Sequence, residues 1–341
     1  MNPEQIYTLI NNGSLPGSSR NPSLKETHKS WIILTGEFAY KIKRPVKYSF
    51  LDFSTLEKRK YYCYEELRLN KRLAPEMYLK VLPVKAGMLG IRGTVNNDET
   101  MDFAVQMKRM DNRLEMDRLL KEDKVKSDQI INLAEKLADF HKSTDIIYEY
   151  FDTENLQKMY GDIQSLIPFL KEKASGHWDM KIAKCVDISE RFLKSNREFI
   201  DERIRKGFRR DCHGDLNSSN IFLYENHPVI FDCIEFNEEF RQIDILNEIA
   251  FLCVDIEFFG KKEISERLWK EYKGYYGLKD TPQSRKLFMY YKSYRANVRA
   301  KVTLISAKKM KTGNSSEKIN DALKYLSLME GYAGYVSRQL K

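Results

Sequence analysis

One stretch constrains this chain more than any other: Cys212-His213-Gly214-Asp215-Leu216-Asn217-Ser218-Ser219-Asn220-Ile221, answered by Val229-Ile230-Phe231-Asp232. An Asp precedes an Asn by five positions, Ile221-Phe222-Leu223 reads as a strand, and a second Asp ends a second apolar run after a short turn. Asp, Asn, Gly and Ser populate loops for local hydrogen-bonding reasons, so a lone D-x-x-x-x-N would constrain nothing. With His213-Gly214 before it and two strands after it, the same spacing demands a fold that presents two carboxylates and an amide from one loop–strand–turn–strand unit.

Phosphoryl transfer from ATP needs that set: a carboxylate to orient the attacking hydroxyl, and an amide and a carboxylate to hold metal ions on the phosphates. The spacing is that of the protein-kinase catalytic loop H-R-D-x-x-x-x-N and its D-F-G, with Gly214 in place of the Arg and Asp232-Cys233-Ile234 in place of D-F-G. Asp215 is the candidate catalytic base. Asn220 and Asp232 are candidate Mg²⁺ ligands, since Mg²⁺ prefers hard oxygen donors. His213 is a second candidate catalytic residue, although its place beside Gly214-Asp215 favours a part in fixing loop geometry.

Such a site also needs a cation on the ATP phosphates, paired to a helical carboxylate. In Phe38-Ala39-Tyr40-Lys41-Ile42-Lys43 strand alternation puts Lys41 and Lys43 on one face, and Lys41 ends an approach resembling V-A-I-K. Lys41 is therefore chosen over Lys43, the alternative being a basic edge strand that discourages aggregation. Glu66 shares a helical face with Tyr62, Leu69 and Leu73 and is the expected partner, with Glu65 the second choice. The segment Gln106, Met107 and Lys108, continuing to Asp111, is the expected hinge whose backbone reads adenine.

Residues 1–30 read as polar and broken by Gly13, Pro16, Gly17 and Ser18 to Pro22. Two strands turned at Gly36-Glu37 follow, then a helix from Asp52 to Leu73, strands over Met77–Pro83, Met88–Gly93 and Met101–Met107, and a turn at Asn96 to Glu99. After about Met110 the pattern turns helical. Ser127 to His141 carries Ile130, Leu133, Ala134, Leu137, Ala138 and His141 on one stripe, with Ser127 as N-cap and His141 packed or capping. Two or three helices are expected over 154–206, interrupted at Ala174 to Trp178. Ile243 onward reads as helix, broken at Tyr272–Leu278 and Lys311–Ser316. The expectation is an α+β, two-lobed fold: a small β-rich N-terminal lobe over 1–109 and a larger, mostly helical lobe over 110–341, with ATP between them.

The chain has 341 residues and a net charge of +9, with 42% hydrophobic content that supports a core. Its basic residues are interleaved with acids, as in Lys121-Glu122-Asp123-Lys124, which argues against a dedicated nucleic-acid stripe. Five cysteines show no C-x-x-C pair or zinc spacing. They read as reduced thiols of a cytoplasmic protein, Cys212 and Cys233 as small packing residues. No basic n-region with an apolar core opens the chain, and no apolar run approaches the ~18 residues a membrane span needs.

The His213-Gly214-Asp215-Leu216, Asn220-Ile221 and Ile230-Phe231-Asp232 motifs resemble those of the aminoglycoside phosphotransferase family, which includes choline and homoserine kinases. Leu133 to His141 is similar to its L-A-x-x-L-A-x-L-H helix. Lys41-Ile42-Lys43-Arg44-Pro45-Val46, Phe50 to Glu57, Glu66 to Pro75, Asp232 to Asn237 and Arg295-Ala296-x-x-Arg299-Ala300-Lys301-Val302 resemble an uncharacterised bacterial subgroup, sometimes fused to a P-loop kinase-like domain. No G-x-x-x-x-G-K-[ST] occurs here. The resemblance, over Glu26 to Val302, implies a kinase-like fold, ATP and Mg²⁺. It does not imply aminoglycosides. The chain departs from the pattern in lacking a G-x-G-x-x-G loop, with His28-Lys29-Ser30 in its place, and in carrying Asn217 where the subgroup usually has His. Asp244 resembles the Asp that supports the catalytic loop from the next helix.

The expected function is thus an ATP- and Mg²⁺-dependent kinase acting on a hydroxyl of a small molecule. A nucleotide-binding regulator without turnover, and a kinase directed at a protein or nucleic acid, are the alternatives. Two further features stay open. Glu235 faces the acceptor or a metal, or answers Arg241. Arg295 and Arg299, four apart on a late helix, either bind an anionic acceptor or lie on a solvated face.

Overall fold

The computed structural model describes residues 1–11, 15, 17, 22–85, 100–149, 151–225, 227–310 and 315–340. The expected strand at Met88–Gly93, the turn at Asn96–Glu99 and the 311–314 part of the expected Lys311–Ser316 break lie outside these residues, as do most of the expected breakers between 12 and 21, while Ser315 and Ser316 belong to a helix. The chain divides into two units: residues 1–119 with 219–241, and residues 120–218 with 242–341.

The first unit is built on a five-stranded antiparallel sheet of β1 (Ser23–Glu26), β2 (Ser30–Leu34), β3 (Phe38–Lys43), β6 (Tyr78–Lys85) and β7 (Thr100–Lys108), in the order β1-β2-β3-β7-β6. Strand alternation sends the two faces to different cores. Tyr40 and Ile42 join Ile33, Leu82, Val84 and Ala104 on one face, under Ile6 and Leu9 of α1 (Pro3–Asn11). Ala39, Val105 and Met107 join the other, with Cys63 of α2 (Leu56–Asn70) and with Phe222 and Val229. Each fully buried side chain of this size contributes roughly 1.5–3 kcal/mol. Phe222 and Val229 belong to the hairpin of β9 (Ile221–Leu223) and β10 (Pro228–Ile230).

Two local expectations are corrected here. The first thirty residues hold a helix and a strand, because Ile6 and Leu9, one turn apart, bury against the sheet. The helix expected from Asp52 begins at Leu56, because Leu51–Asp52 (β5) pairs with Lys47–Tyr48 (β4) and Thr55 caps the helix by accepting the Lys58 N–H at 3.3 Å.

The second unit is mainly helical. It contains α4 (Ser127–Ser143), α5 (Thr153–Gly161), α6 (Ile167–Lys173), α7 (Trp178–Ser195), α8 (Arg197–Arg205), α9 (Ile245–Phe258), α10 (Lys262–Tyr276), α11 (Pro282–Lys309) and α12 (Ser315–Arg338). Four helices thus fill 153–205, where two or three were expected. The short α3 (Met116–Lys121), which the sequence reading passed over, precedes them. The ladder of β8 (Arg209–Asp211) with β11 (Gln242–Asp244) brackets the opening motif in sequence. The apolar stripe of α4 is buried as expected, but Ser127 is its first helical residue. The cap position is Lys126, whose N–H donates to Gln129 Oε1 at 2.9 Å.

α9 is buried on every side, from Ile245 to Ile256, as expected for a helix apolar all round. α10 runs on to Tyr276, so the break expected over Tyr272–Leu278 falls within that range, at Gly277, which takes the left-handed conformation (φ 83°) that lets its N–H return to Lys273 O at 3.0 Å. Gly277→Ala should therefore cost about 1–2 kcal/mol in backbone strain alone, since nothing lies within 4 Å of the added Cβ. The urea midpoint should fall at constant m-value; an unchanged midpoint would refute this. No helix among the described residues is long and apolar enough to cross a membrane, and all five cysteines are free and buried.

Candidate active site

The expected residues divide between the units: Lys41, Lys43, Glu66, Gln106, Met107, Lys108, Asn220 and Asp232 lie in the first, His213 and Asp215 in the second.

In the first unit β3 places Lys41 and Lys43 on the α2 face, and α2 places Glu66 opposite both. Lys41 Nζ lies 2.7 Å from Glu66 Oε1 and Lys43 Nζ 2.7 Å from Glu66 Oε2, so one carboxylate serves two lysines. Lys41 also pairs with Asp232, and Lys43 with Glu235. The result is a chain of alternating charges, Asp232–Lys41–Glu66–Lys43–Glu235. Glu65 stands apart and takes Arg68 at 2.5 Å. Burial opposes the charge on both lysines, but the carboxylates prevail and hold each ammonium above its ordinary range. Burial likewise opposes the Glu235 charge, and Lys43, Lys29 and Lys41 hold its carboxyl below the usual range. The expected alternative for Glu235, a partner for Arg241, is corrected. Arg241 Nη1–H donates to Ile234 O at 3.1 Å, while Glu235 turns to Lys43 and leaves its buried Oε2 without a donor among the described residues.

The segment carrying Asp232 is fastened from two directions. The Asp232 N–H donates to Tyr78 OH at 3.3 Å, and the Cys233 N–H to Asn70 Oδ1 at 2.9 Å. Asp232 itself sits at φ 62°, a left-handed conformation that a short polar side chain tolerates. Its side chain is 26% exposed against 6% for Lys41 and 0% for Glu66, so it is the member of the Lys41 cluster that solvent reaches. Asn220, at the foot of β9, is bridged to the same segment by its carbonyl, which accepts the Phe231 N–H at 3.0 Å. A partly exposed carboxylate and an amide offer hard oxygen donors of the kind Mg²⁺ takes.

Gln106, Met107 and Lys108 end β7. Cross-strand partners share a face, and Gln106 pairs with Tyr40 while Lys41 pairs with Val105. The Gln106 side chain thus lies on the face opposite Lys41, donating to Tyr40 OH at 3.2 Å. Met107 lies on the Lys41 face, in the core. Lys108 is exposed, and its backbone N–H donates to Met77 O at 2.8 Å.

In the second unit the loop from His213 to Ser218 is held by α9. Glu248 accepts the His213 N–H at 2.9 Å and the Gly214 N–H at 2.7 Å, and its other oxygen lies 2.8 Å from His141 Nε2. His141 Nδ1 lies 2.7 Å from Tyr272 OH, and an ionised Glu248, which can only accept, makes Nε2–H the donor to it. Burial would raise the Glu248 pKa. The His141 hydrogen bond, the charges of His141 and His213 and the Gly214 N–H outweigh it and bring the carboxyl down to about 2. At the far end of the loop Asp255 accepts the Ser218 N–H at 2.8 Å and pairs with the Ser218 hydroxyl. Between these anchors His213 Nδ1 accepts the Asp215 N–H at 3.3 Å, Asn217 Nδ2–H donates to Asp215 O at 3.1 Å, and Gly214 takes φ 89°.

The residue expected to support this loop, Asp244, does something else. It caps α9 by accepting the Leu246 N–H at 2.8 Å and pairs with Arg203 at 2.6 Å. Glu248 and Asp255 were missed by sequence reasoning. The signal was present: Asn247, Glu248 and Asp255 are polar in a helix where nearly every other residue is apolar and buried, and buried carboxylates need donors.

No family model matches the chain. Uncharacterised proteins of Mycobacterium tuberculosis and Mycobacterium bovis are each 30% identical to it over 288 residues, 83% of this chain and 54% of theirs. The chain thus spans about half the length of the curated relatives it matches. Among solved structures, a choline/ethanolamine kinase family protein of Mesorhizobium loti superposes with a TM-score of 0.57 at 13% identity, covering 98% of this chain and 97% of that one. The GDP and kanamycin complex of an aminoglycoside phosphotransferase gives 0.56 at 12% identity, over 96% and 98%. An amicoumacin kinase in complex with AMP-PNP, Ca²⁺ and its Ami ligand gives 0.55 at 11% identity, over 97% and 94%. The chain has the protein-kinase-like fold that these proteins share.

Proposed function

We propose that this chain is a phosphotransferase that moves the γ-phosphoryl group of ATP to a hydroxyl of a small molecule, with Mg²⁺ as cofactor. The observation that carries this reading is the bridge from Glu66 through Lys41 to Asp232, which holds a cation and an oxygen ligand together on a kinase-like fold. Lys41, kept charged by its carboxylates, neutralises nucleotide phosphate oxygens. Asn220 and Asp232 hold the Mg²⁺, which supplies charge neutralisation on the phosphates. Asp215 orients the acceptor hydroxyl and takes its proton as the oxygen bonds to γ-phosphorus, the bond to the β-phosphate oxygen breaks and ADP leaves. His213 sets the backbone of Asp215. The backbone near Met107 to Asp111 reads the adenine. Complexes of fold neighbours with GDP and with AMP-PNP and Ca²⁺ support nucleotide and divalent-metal use.

The test is γ-phosphate release and transfer from labelled ATP. Asp215→Asn should lower turnover about 10²–10⁴-fold while nucleotide affinity, measured by calorimetry, stays the same. ATP turnover indifferent to that substitution sinks the reading.

A further inference from the structure

Two of the arginines of α11, Arg295 and Arg299, stand one turn apart, and the structure treats them differently. Arg299 is answered: its Nη2 lies 3.2 Å from Asp255 and its Nε–H donates to Tyr325 OH at 3.2 Å. Arg295 is only 7% exposed, yet its hydrogen bonding among the described residues is confined to Nε–H, which donates to Asn247 Oδ1 at 2.6 Å. Its guanidinium lies over the Phe251 ring, 4.7 Å from the centroid. A guanidinium directs a planar fork of further donors away from Nε. Among the described residues that fork has no acceptor, although burial removes most of its water.

The surroundings of the fork follow from α9. Asn247, the partner of Arg295, is followed by Glu248, which holds His213 and Gly214. Asp255, the partner of Arg299, holds Ser218. The helix that anchors both arginines therefore also pins both ends of the loop containing Asp215. Both guanidinium groups feel the Asp215 carboxylate, and Arg295 makes no hydrogen bond to it.

We propose that the Arg295 fork is an anion subsite beside Asp215, and that the phosphoryl acceptor is a hydroxy compound bearing a carboxylate or a phosphate. The proposal rests on the phosphotransferase reading and narrows its substrate class. A planar fork matches the paired oxygens of either anion, and the same buried positive charge repels amino sugars and amino alcohols. Sequence alone left Arg295 and Arg299 balanced between a solvated face and an anion site. Burial removes the solvated face for Arg295, and the unanswered fork selects the second.

The first experiment needs no knowledge of the acceptor. Inorganic phosphate and acetate are titrated into the arginine-labelled full chain at constant ionic strength, and the Arg295 Nε–H resonance, assigned with Arg295→Lys, is followed by NMR. The same titrations are repeated with AMP-PNP and Mg²⁺ at saturation. A saturable shift that persists under AMP-PNP is expected, and the tighter probe identifies the anionic group. No shift with either probe overturns the proposal, as does a shift that AMP-PNP abolishes, which would assign the fork to the nucleotide. Failure of AMP-PNP to bind would instead strike the phosphotransferase reading, so the two failures are distinct.

The second experiment offers labelled ATP with glycerol phosphate or glycerate against glycerol, kanamycin and choline. Label should pass to an anionic member. Arg295→Gln should raise that acceptor's KM about 30-fold, the scale of a lost charge-assisted hydrogen bond, with the ATP KM unchanged and Arg295→Lys partly restoring it. Label on kanamycin or choline, or a rise in the ATP KM instead, overturns the proposal.

Discussion

Replacing Glu66 by Ala should lower the unfolding free energy of the first unit by about 3–5 kcal/mol, the cost of breaking a buried ion pair by removing one partner, and abolish most phosphoryl transfer. Glu66 is 0% exposed and is the one carboxylate shared by Lys41 and Lys43. Its loss leaves two buried ammonium groups with one carboxylate each, Asp232 for Lys41 and Glu235 for Lys43. Lys41 then follows Asp232 alone and loses its fixed position on the strand. Denaturant unfolding monitored by the single-unit signal of Trp31, with nucleotide affinity measured in parallel, checks both parts. A Glu66→Ala protein with wild-type midpoint and turnover would refute the shared-carboxylate account. The contrasting change is the pair Lys43→Met with Glu235→Leu. Replacing a whole buried ion pair by apolar residues is often neutral or stabilising, and Glu235 already carries an oxygen without a donor among the described residues. The double variant should therefore keep its stability, which separates the Lys41 half of the chain of charges from the Lys43 half.

The contrast between Glu66 and Glu248 shows where the sequence was legible. The pairing of Lys41 with Glu66 could be read because each sits in a regular element whose period sets its direction: β3 alternates and α2 repeats its buried face, while Asp232 lies two residues past the end of β10. Long, periodic stretches such as α4 were legible for the same reason. Boundaries set by single hydrogen bonds were not. The Thr55 cap moved the start of α2, and only the left-handed Gly277 fixes where α10 ends within the expected break. α1 was missed because its two buried residues, Ile6 and Leu9, make only one turn of pattern in a polar stretch. For Glu235 the sequence left an acceptor or metal role beside a pairing with Arg241 chosen by proximity in sequence, whereas its partner Lys43 comes from β3, far away along the chain. Loop support was placed on Asp244 by resemblance. Its actual source is α9, and a helix buried on all sides has no period from which to pick out Glu248 or Asp255.

Glu248 also sets the pH range in which the Asp215 loop holds its shape. Its carboxyl falls from 4.5 to about 2 on folding, so the folded state binds the proton more weakly than the unfolded chain does. The resulting stabilisation is complete above about pH 4.5 and is lost as pH falls toward 2, a swing of about 3 kcal/mol for a shift of this size. Urea midpoints measured across that window should drop steeply in the natural protein and less steeply in Glu248→Gln, which has no carboxyl to titrate. At neutral pH the same substitution should lower kcat about 100-fold, the scale of a small misplacement of a reacting group, with the KM for ATP unchanged. A glutamine oxygen that keeps both the His213 and Gly214 N–H groups turns its amide donors onto His141 Nε2–H, and one that keeps His141 turns them onto the Gly214 N–H. The loop must then shift, and Asp215 shifts with it. Parallel acid limbs in the two proteins, or an unchanged kcat, would show that something other than Glu248 fixes this loop.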